Sequence, residues 1–287
     1  MDREAIRLSV RQIRDLPTLP VVVSRVLEAA NNTETTAIEL GEIVAQDVSV
    51  SAKVLSLANS AFYGFSRRIT TIQQAVVVLG FDTVRSLALS VSVFDTLSQN
   101  TAPGSFDREA FWIHSIACGT ASRLIAKTLR LPDQETYFVA GLFHDLGKII
   151  LDTYFHDRYI EVCQELERDP RPTYLIEKEL LEIDHAEVGG LLSARWKFPE
   201  ILVTPIACHH SLMPVKKQFL PITLAVHLAD FLIKKSDLGL VYEKDTPDTS
   251  SLLKAHLKIS SEQLKTVHQR LVDERDRIFE FMNSLAA

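Results

Sequence analysis

Nine histidines occur in this chain of 287 residues, and five of them fall where an imidazole could meet a carboxylate. The first signal is the pair His144-Asp145. It lies in a run containing Phe138, Val139, Leu142, Phe143, Leu146, Ile149 and Ile150, whose apolar residues cover most of a helical cylinder. One buried helix from about Asp133 to Tyr154 is predicted, with the pair in its middle. An ionised carboxylate persists in such a place only if it is paired, hydrogen-bonded or bound to a metal. An isolated His-Asp dipeptide is more often an aspartate bonded to its neighbour, but this pair has company. His114 falls on the apolar face set by Phe111, Cys118, Ala121 and Ile125. His185 opens a helix beside Asp184, His209-His210 close another, and Asp230 is set among Leu224, Ala225, Ala229, Phe231 and Ile233.

Helices can bring five histidines and two aspartates together in a bundle core, and imidazole with carboxylate suits a divalent transition metal: iron, manganese, zinc, nickel or cobalt. Successive helical residues project about 100° apart. His144 and Asp145 could therefore both reach one ion, or Asp145 could bridge two. Such an ion would make water acidic enough to attack a phosphoester near neutral pH. Lys148, one turn beyond His144, would then neutralise phosphate charge; alternatively it is a surface lysine that snorkels to water.

The elements that must position these residues are helical. Apolar residues recur at helical spacing almost throughout, and no alternating runs joined by Asn-Gly or Asp-Gly turns are present, so an all-α fold is predicted. In the front part, helices are expected over Met1 to about Leu16, Val22 to Ala30, Ala37 to Ala45, Ser49 to Ala58, Gln73 to Leu79 and Asp82 to Leu97. The breaker-rich stretch Ser98 to Ser105 then marks a boundary between an N-terminal helical part, 1–100, and a metal-site helical domain, 106–287. Beyond it come helices of about Asp107 to Leu129, Arg158 to Glu167, Pro172 to Leu181, His185 to Trp196, Pro199 to His210, Pro221 to Lys235 and Ser261 to Leu285. Asp184 with Glu187 and Ser260 with Gln263 have capping-box spacing. Pro205 should kink or divide its helix.

A net charge of −6 argues against nucleic acid or an acidic membrane as partner; Arg67-Arg68, Lys216-Lys217 and Lys234-Lys235 are the only compact basic clusters. Cys118, Cys163 and Cys208 form no CxxC pair, which fits a reducing compartment. Met1-Asp2-Arg3-Glu4 opens without an apolar leader, and no stretch approaches the roughly 18 apolar residues that span a bilayer. A cytoplasmic protein is expected.

Lesser candidates complete the reading. Asn59, Phe62 and Tyr63 could form a ligand or partner loop, or terminate a helix and pack there. His227, three residues before Asp230, is a further ligand or a rim histidine; His156-Asp157 reads as a solvated loop. Cys118 and Cys208 share helices with His114 and His209 and read as inert buried thiols. The stripe Leu264, Val267, Leu271, Ile278 and Phe281 would pair with a second subunit in a homodimer or pack on its own domain.

The order His114, His144-Asp145-Leu146-Gly147-Lys148, His185, His209-His210 and Asp230 resembles the HD superfamily of metal-dependent phosphohydrolases, especially the HD-GYP phosphodiesterases. That resemblance implies one ion held by His114, His144, Asp145 and Asp230, and a second by Asp145, His185, His209 and His210, with Asp145 and Lys148 as catalytic residues. The front part narrows it. Leu16-Pro17-Thr18-Leu19-Pro20, Ile43 to Asp47, Lys53 to Gly64 and Ala75 to Gly80 together resemble the HDOD domain, the HD-related output domain of bacterial signalling proteins. The resemblance implies a regulatory protein with a signalling partner or a small phosphorylated ligand, and alternatively a phosphohydrolase acting on a phosphomonoester, nucleotide or phosphodiester. No Gly-Tyr-Pro motif is present, so cyclic-di-GMP hydrolysis does not carry over.

Overall fold

The structure, a computed structural model, describes residues 17–31, 35–65, 67–98, 106–213, 215–236 and 256–287. Its regular elements are all helices, with no strand among the described residues. The helix expected over Met1 to Leu16 lies outside them. No described helix is long and apolar enough to cross a membrane.

Two compact units emerge, divided at Gln99 and again at Val272. The front unit contains α1 (Val21–Asn31), α2 (Ala37–Ala45), α3 (Val48–Ala58), α4 (Ile72–Leu79) and α5 (Phe81–Ser98). Short polar residues start these helices where backbone N–H groups would otherwise lack partners. Thr36 and Glu39 form a reciprocal capping box, Asp47 accepts from Val50 N at 3.0 Å, and Thr71 accepts from Gln74 N at 3.1 Å. The long α5 is buried over most of its length and packs against α1, α3 and α4, making it the spine of this unit.

The end of the chain departs from expectation. The predicted helix over Ser261 to Leu285 is two helices, α14 (Ser261–Asp273) and α15 (Arg275–Ala286), and α15 belongs to the front unit. The second unit therefore does not run unbroken from 106 to 287. The apolar stripe that read as continuous serves two cores: Val267 and Leu271 are buried in one, Ile278, Phe281, Met282 and Leu285 in the other. The Phe281 and Phe62 rings pack at a tilt with centroids 4.7 Å apart, Glu280 accepts from Ala61 N at 2.8 Å, and the Leu285 carbonyl accepts from Lys53 Nζ at 3.1 Å. With both halves packed inside the chain, the stripe is no longer available as a homodimer face.

The second unit comprises α6 (Arg108–Thr128), α7 (Gln134–Phe143), α8 (Leu146–Tyr154), α9 (His156–Arg168), α10 (Thr173–Leu181), α11 (His185–Arg195), α12 (Glu200–Cys208), α13 (Leu220–Lys234) and α14. α6 packs against α7 and α13, while α11 packs against α8 and α12. Ser260 and Gln263 bond reciprocally as a capping box, and Asp184 caps α11 by accepting from Glu187 N at 2.8 Å. Pro205 does not divide α12, which runs through it. The predicted helix over Asp133 to Tyr154 does divide: α7 ends at Phe143, and Asp145, at φ −102° and ψ 8°, turns the chain into α8. The His-Asp pair thus sits at a helix junction rather than in mid-helix.

Candidate metal centre

Five parts of the second unit supply the predicted residues. α6 supplies His114 and, one turn on, Cys118; the α7–α8 junction supplies His144 and Asp145; α11 begins with His185; His209 and His210 follow α12; and α13 supplies Asp230. His114, His144, Asp145, His185, His209 and Asp230 are all buried. Two groups have ligand atoms within 4.8 Å of one another: His114, Cys118, His144 and Asp230 form one, and Asp145, His185, His209 and His210 the other. Asp145 lies between them. Its Oδ1 is 3.0 Å from His185 Nε2 and 3.4 Å from both His144 Nε2 and His209 Nε2, while Oδ2 is 3.7 Å from His114 Nε2.

Glycine makes this closeness possible. A Cβ on Gly147 would lie 1.9 Å from the His185 carbonyl oxygen, so only glycine lets the start of α8 rest on the start of α11. A Cβ on Gly141 would meet the Cys118 carbonyl at 2.6 Å. The first approach sets His185 beside Asp145, and the second sets His114 and Cys118 beside His144.

Hydrogen bonds to the outer ring nitrogens aim the inner ones. His144 Nδ1 is 2.7 Å from the Gly141 carbonyl, His209 Nδ1 is 3.0 Å from the Ile206 carbonyl, and His185 Nδ1 is 2.6 Å from Glu177 Oε2. Those oxygens can only accept, so each ring donates from Nδ1 and turns its Nε2 inward; in His209, which burial keeps neutral, that atom carries a lone pair. Among these atoms, His144 Nε2, His209 Nε2 and Asp230 Oδ1 are buried without a hydrogen-bond partner. Leaving such groups unsatisfied costs about 1–3 kcal/mol each. Converging nitrogen lone pairs and a carboxylate oxygen are what a divalent transition ion requires, so the donor set fits a metal. Its identity is open.

Protonation states agree. Burial pushes His209 down to about 4 and lowers His114 and His210, keeping these rings neutral. Burial alone would raise Asp145 and Asp230, but His144 and Lys148 around the first, and Lys234 and His114 around the second, hold both carboxyls well below their ordinary range. His185 is the exception: burial opposes its charge, yet Glu177 and Asp145 raise it to about 10. Its second proton then points toward Asp145 Oδ1 and, at 2.9 Å, His210 Nε2, where an ion would compete with it.

Lys148 is buried, its Nζ 2.6 Å from Asp145 Oδ2, so it is not a snorkelling surface lysine. Two participants escaped the sequence reading. Lys234 Nζ lies 2.7 Å from Asp230 Oδ2. Glu177, fully buried on α10, takes both the His185 ring N–H and the His185 backbone N–H, the latter at 2.8 Å. The available signals were thin: Lys234 follows Asp230 by one turn, and Glu177 shares a face with the buried Thr173 and Leu181.

The remaining candidates lie apart from the two groups. His227 Nδ1 donates to the His209 carbonyl at 2.8 Å and so fixes the backbone beside a ligand. His156 bonds Asp152 at 3.1 Å, which also pairs with Arg108. Asn59, Phe62 and Tyr63 belong to the front unit. The Asn59 amide donates to the Leu55 and Ile69 carbonyls and accepts from Ile69 N, and Phe62 is buried edge-on to Tyr63. These residues close a loop and pack it, which is the structural alternative of the sequence reading.

A family model for the HDOD domain matches residues 16–212. This chain belongs to the HDOD family. The matched stretch includes His114, the His-Asp pair, His185 and His209-His210 and stops short of Asp230. Two solved structures share the HDOD fold over nearly the full length. An HDOD domain protein with unknown function from Geobacter sulfurreducens is 25% identical, with a TM-score of 0.78 covering 99% of this chain and 98% of that one. A protein from Shewanella amazonensis SB2B that carries a provisional phosphohydrolase name is also 25% identical, with a TM-score of 0.77 covering 98% of each chain. In sequence, an uncharacterized protein of Treponema pallidum (strain Nichols) is 28% identical over 266 residues, 91% of the HDOD chain. The HDOD chain spans 50% of that relative's length.

Proposed function

We propose that this chain is a bacterial signal-transduction protein of the cytoplasm whose second unit binds one or two divalent transition ions and, beside them, a small phosphorylated ligand, while the front unit meets a signalling partner. The observation that carries the reading is the convergence of partnerless, buried Nε2 atoms of His144 and His209 with Asp230 Oδ1. Charge gives the ligand class. Asp145 pairs with Lys148, Asp230 with Lys234 and Glu177 with His185, so each divalent ion added leaves the site with net positive charge suited to a phosphate. Elemental analysis of the purified protein tests this. Stoichiometric transition metal that is lost in Asp145→Ala is expected, and metal-free protein that stays metal-free on reconstitution would overturn it.

A second reading, a metal-dependent phosphohydrolase, is favoured by the burial of Lys148 beside Asp145 and by the provisional name of the Shewanella amazonensis protein. His114, His144 and Asp230 would hold one ion and Asp145, His185, His209 and His210 the other. A bound ion would supply Lewis acidity toward a phosphoryl oxygen and toward water. Asp145 would orient an attacking water by accepting its hydrogen bond, and Lys148 would neutralise charge on the phosphate. Glu177 holds His185 in place throughout. Turnover of model phosphomonoesters and phosphodiesters that vanishes in Asp145→Ala supports this reading; a silent screen with fully metal-loaded protein removes it.

A further inference from the structure

The two groups differ in one atom type. Cys118, fully buried on α6, lies one turn from His114, and its Sγ is 3.5 Å from His114 Nε2. The same sulfur falls within 4.8 Å of the ligand atoms of His144 and Asp230. His144 Nε2 and Asp230 Oδ1 are buried and without a hydrogen-bond partner, so the sulfur shares its space with two atoms that point at a common centre. The contact of Gly141 with the Cys118 backbone presses α6 against α7 at this residue and fixes where the sulfur stands.

We propose that Cys118 is a thiolate ligand of the ion held by His114, His144 and Asp230. This inference rests on the reading that the centre binds metal. It gives the first group nitrogen, sulfur and oxygen donors, whereas the second has nitrogen and oxygen only. A thiolate alongside imidazole selects a thiophilic ion such as zinc, cobalt or ferrous iron over manganese or magnesium. Binding breaks the S–H bond, releases that proton to solvent and forms a sulfur–metal bond of about 2.3 Å.

Loading the full chain with cobalt(II) tests the assignment. The wild-type protein should show a near-ultraviolet sulfur-to-cobalt charge-transfer band. Cys118→Ser should lose the band while keeping bound cobalt by elemental analysis, and Cys208→Ser should retain it. Stoichiometric cobalt without the band, or a band that survives Cys118→Ser, overturns the proposal and leaves the metal reading intact. A wild-type chain that binds no divalent transition ion overturns both.

Discussion

The two units share a fold class, but among the described residues only the second buries ionisable side chains. In the front unit the buried polar residues are hydroxyls, Ser60, Thr83, Ser86, Ser90 and Ser92, and the helices leave Val21, Ile38, Val48 and Val77 largely exposed. The second unit buries His114, His144, Asp145, Lys148, Glu177, His185, His209 and Asp230. A hydroxyl inside a helix can return its hydrogen bond to the preceding turn, as Ser90 does to the Ser86 carbonyl at 2.7 Å. A buried carboxylate needs charged partners, some one turn away, as Lys234 is to Asp230, and others brought from separate helices, as His185 is to Asp145. The front unit can therefore be stabilised by apolar packing alone, while the second depends on charge complementarity, and that dependence marks where its chemistry lies.

Removing one charge is the strongest way to break this contrast. Asp145→Ala removes the carboxylate paired with the buried Lys148 and should destabilise the protein by about 3–5 kcal/mol, with bound metal lost. Chemical unfolding and elemental analysis read the two effects. Phe281→Ala should cost about 3–5 kcal/mol through the cavity it leaves against Phe62, with metal content unchanged. A variant that also loses metal would show that the units do not divide their roles.

Gly147→Ala forces a methyl toward the His185 carbonyl and should cost about 1–3 kcal/mol, weakening metal affinity because His185 shifts. Acid should act on the second unit. His209 is held at about 4 in the fold against 6.5 in the unfolded chain, so the unfolded state takes up its proton first. Stability of metal-free protein should fall as pH drops from about 6.5 to about 4, and a flat profile across that window would contradict a neutral buried His209. Smallest of all, Val77→Ser, at 85% exposure, should change stability by no more than about 0.5 kcal/mol in a thermal melt.

Periodicity placed most helices to within a residue or two because each buries one stripe. Ala37 to Ala45 coincides with α2, and Asp82 to Leu97 with α5 to within one residue. It failed where one stripe serves two purposes: Ser261 to Leu285 has a continuous pattern, yet its halves belong to different cores. Composition likewise exposed His114, His144, Asp145, His185, His209, His210 and Asp230, since buried histidine and aspartate are conspicuous among apolar neighbours. Glu177 and Lys234 were hidden because glutamate and lysine are ordinary on solvated helix faces. Only the three-dimensional contact shows that one orients His185 and the other neutralises Asp230. The break at Asp145 was masked by flanking residues that are apolar on every side.

The return of α15 to the front unit also sets an order of events during synthesis. Residues 100–272 are translated between the two halves of that unit. At roughly 5–20 residues per second, the ribosome takes roughly ten to thirty seconds to cross them. Throughout that interval Phe62 waits for Phe281, and of these two units the one begun first is completed last.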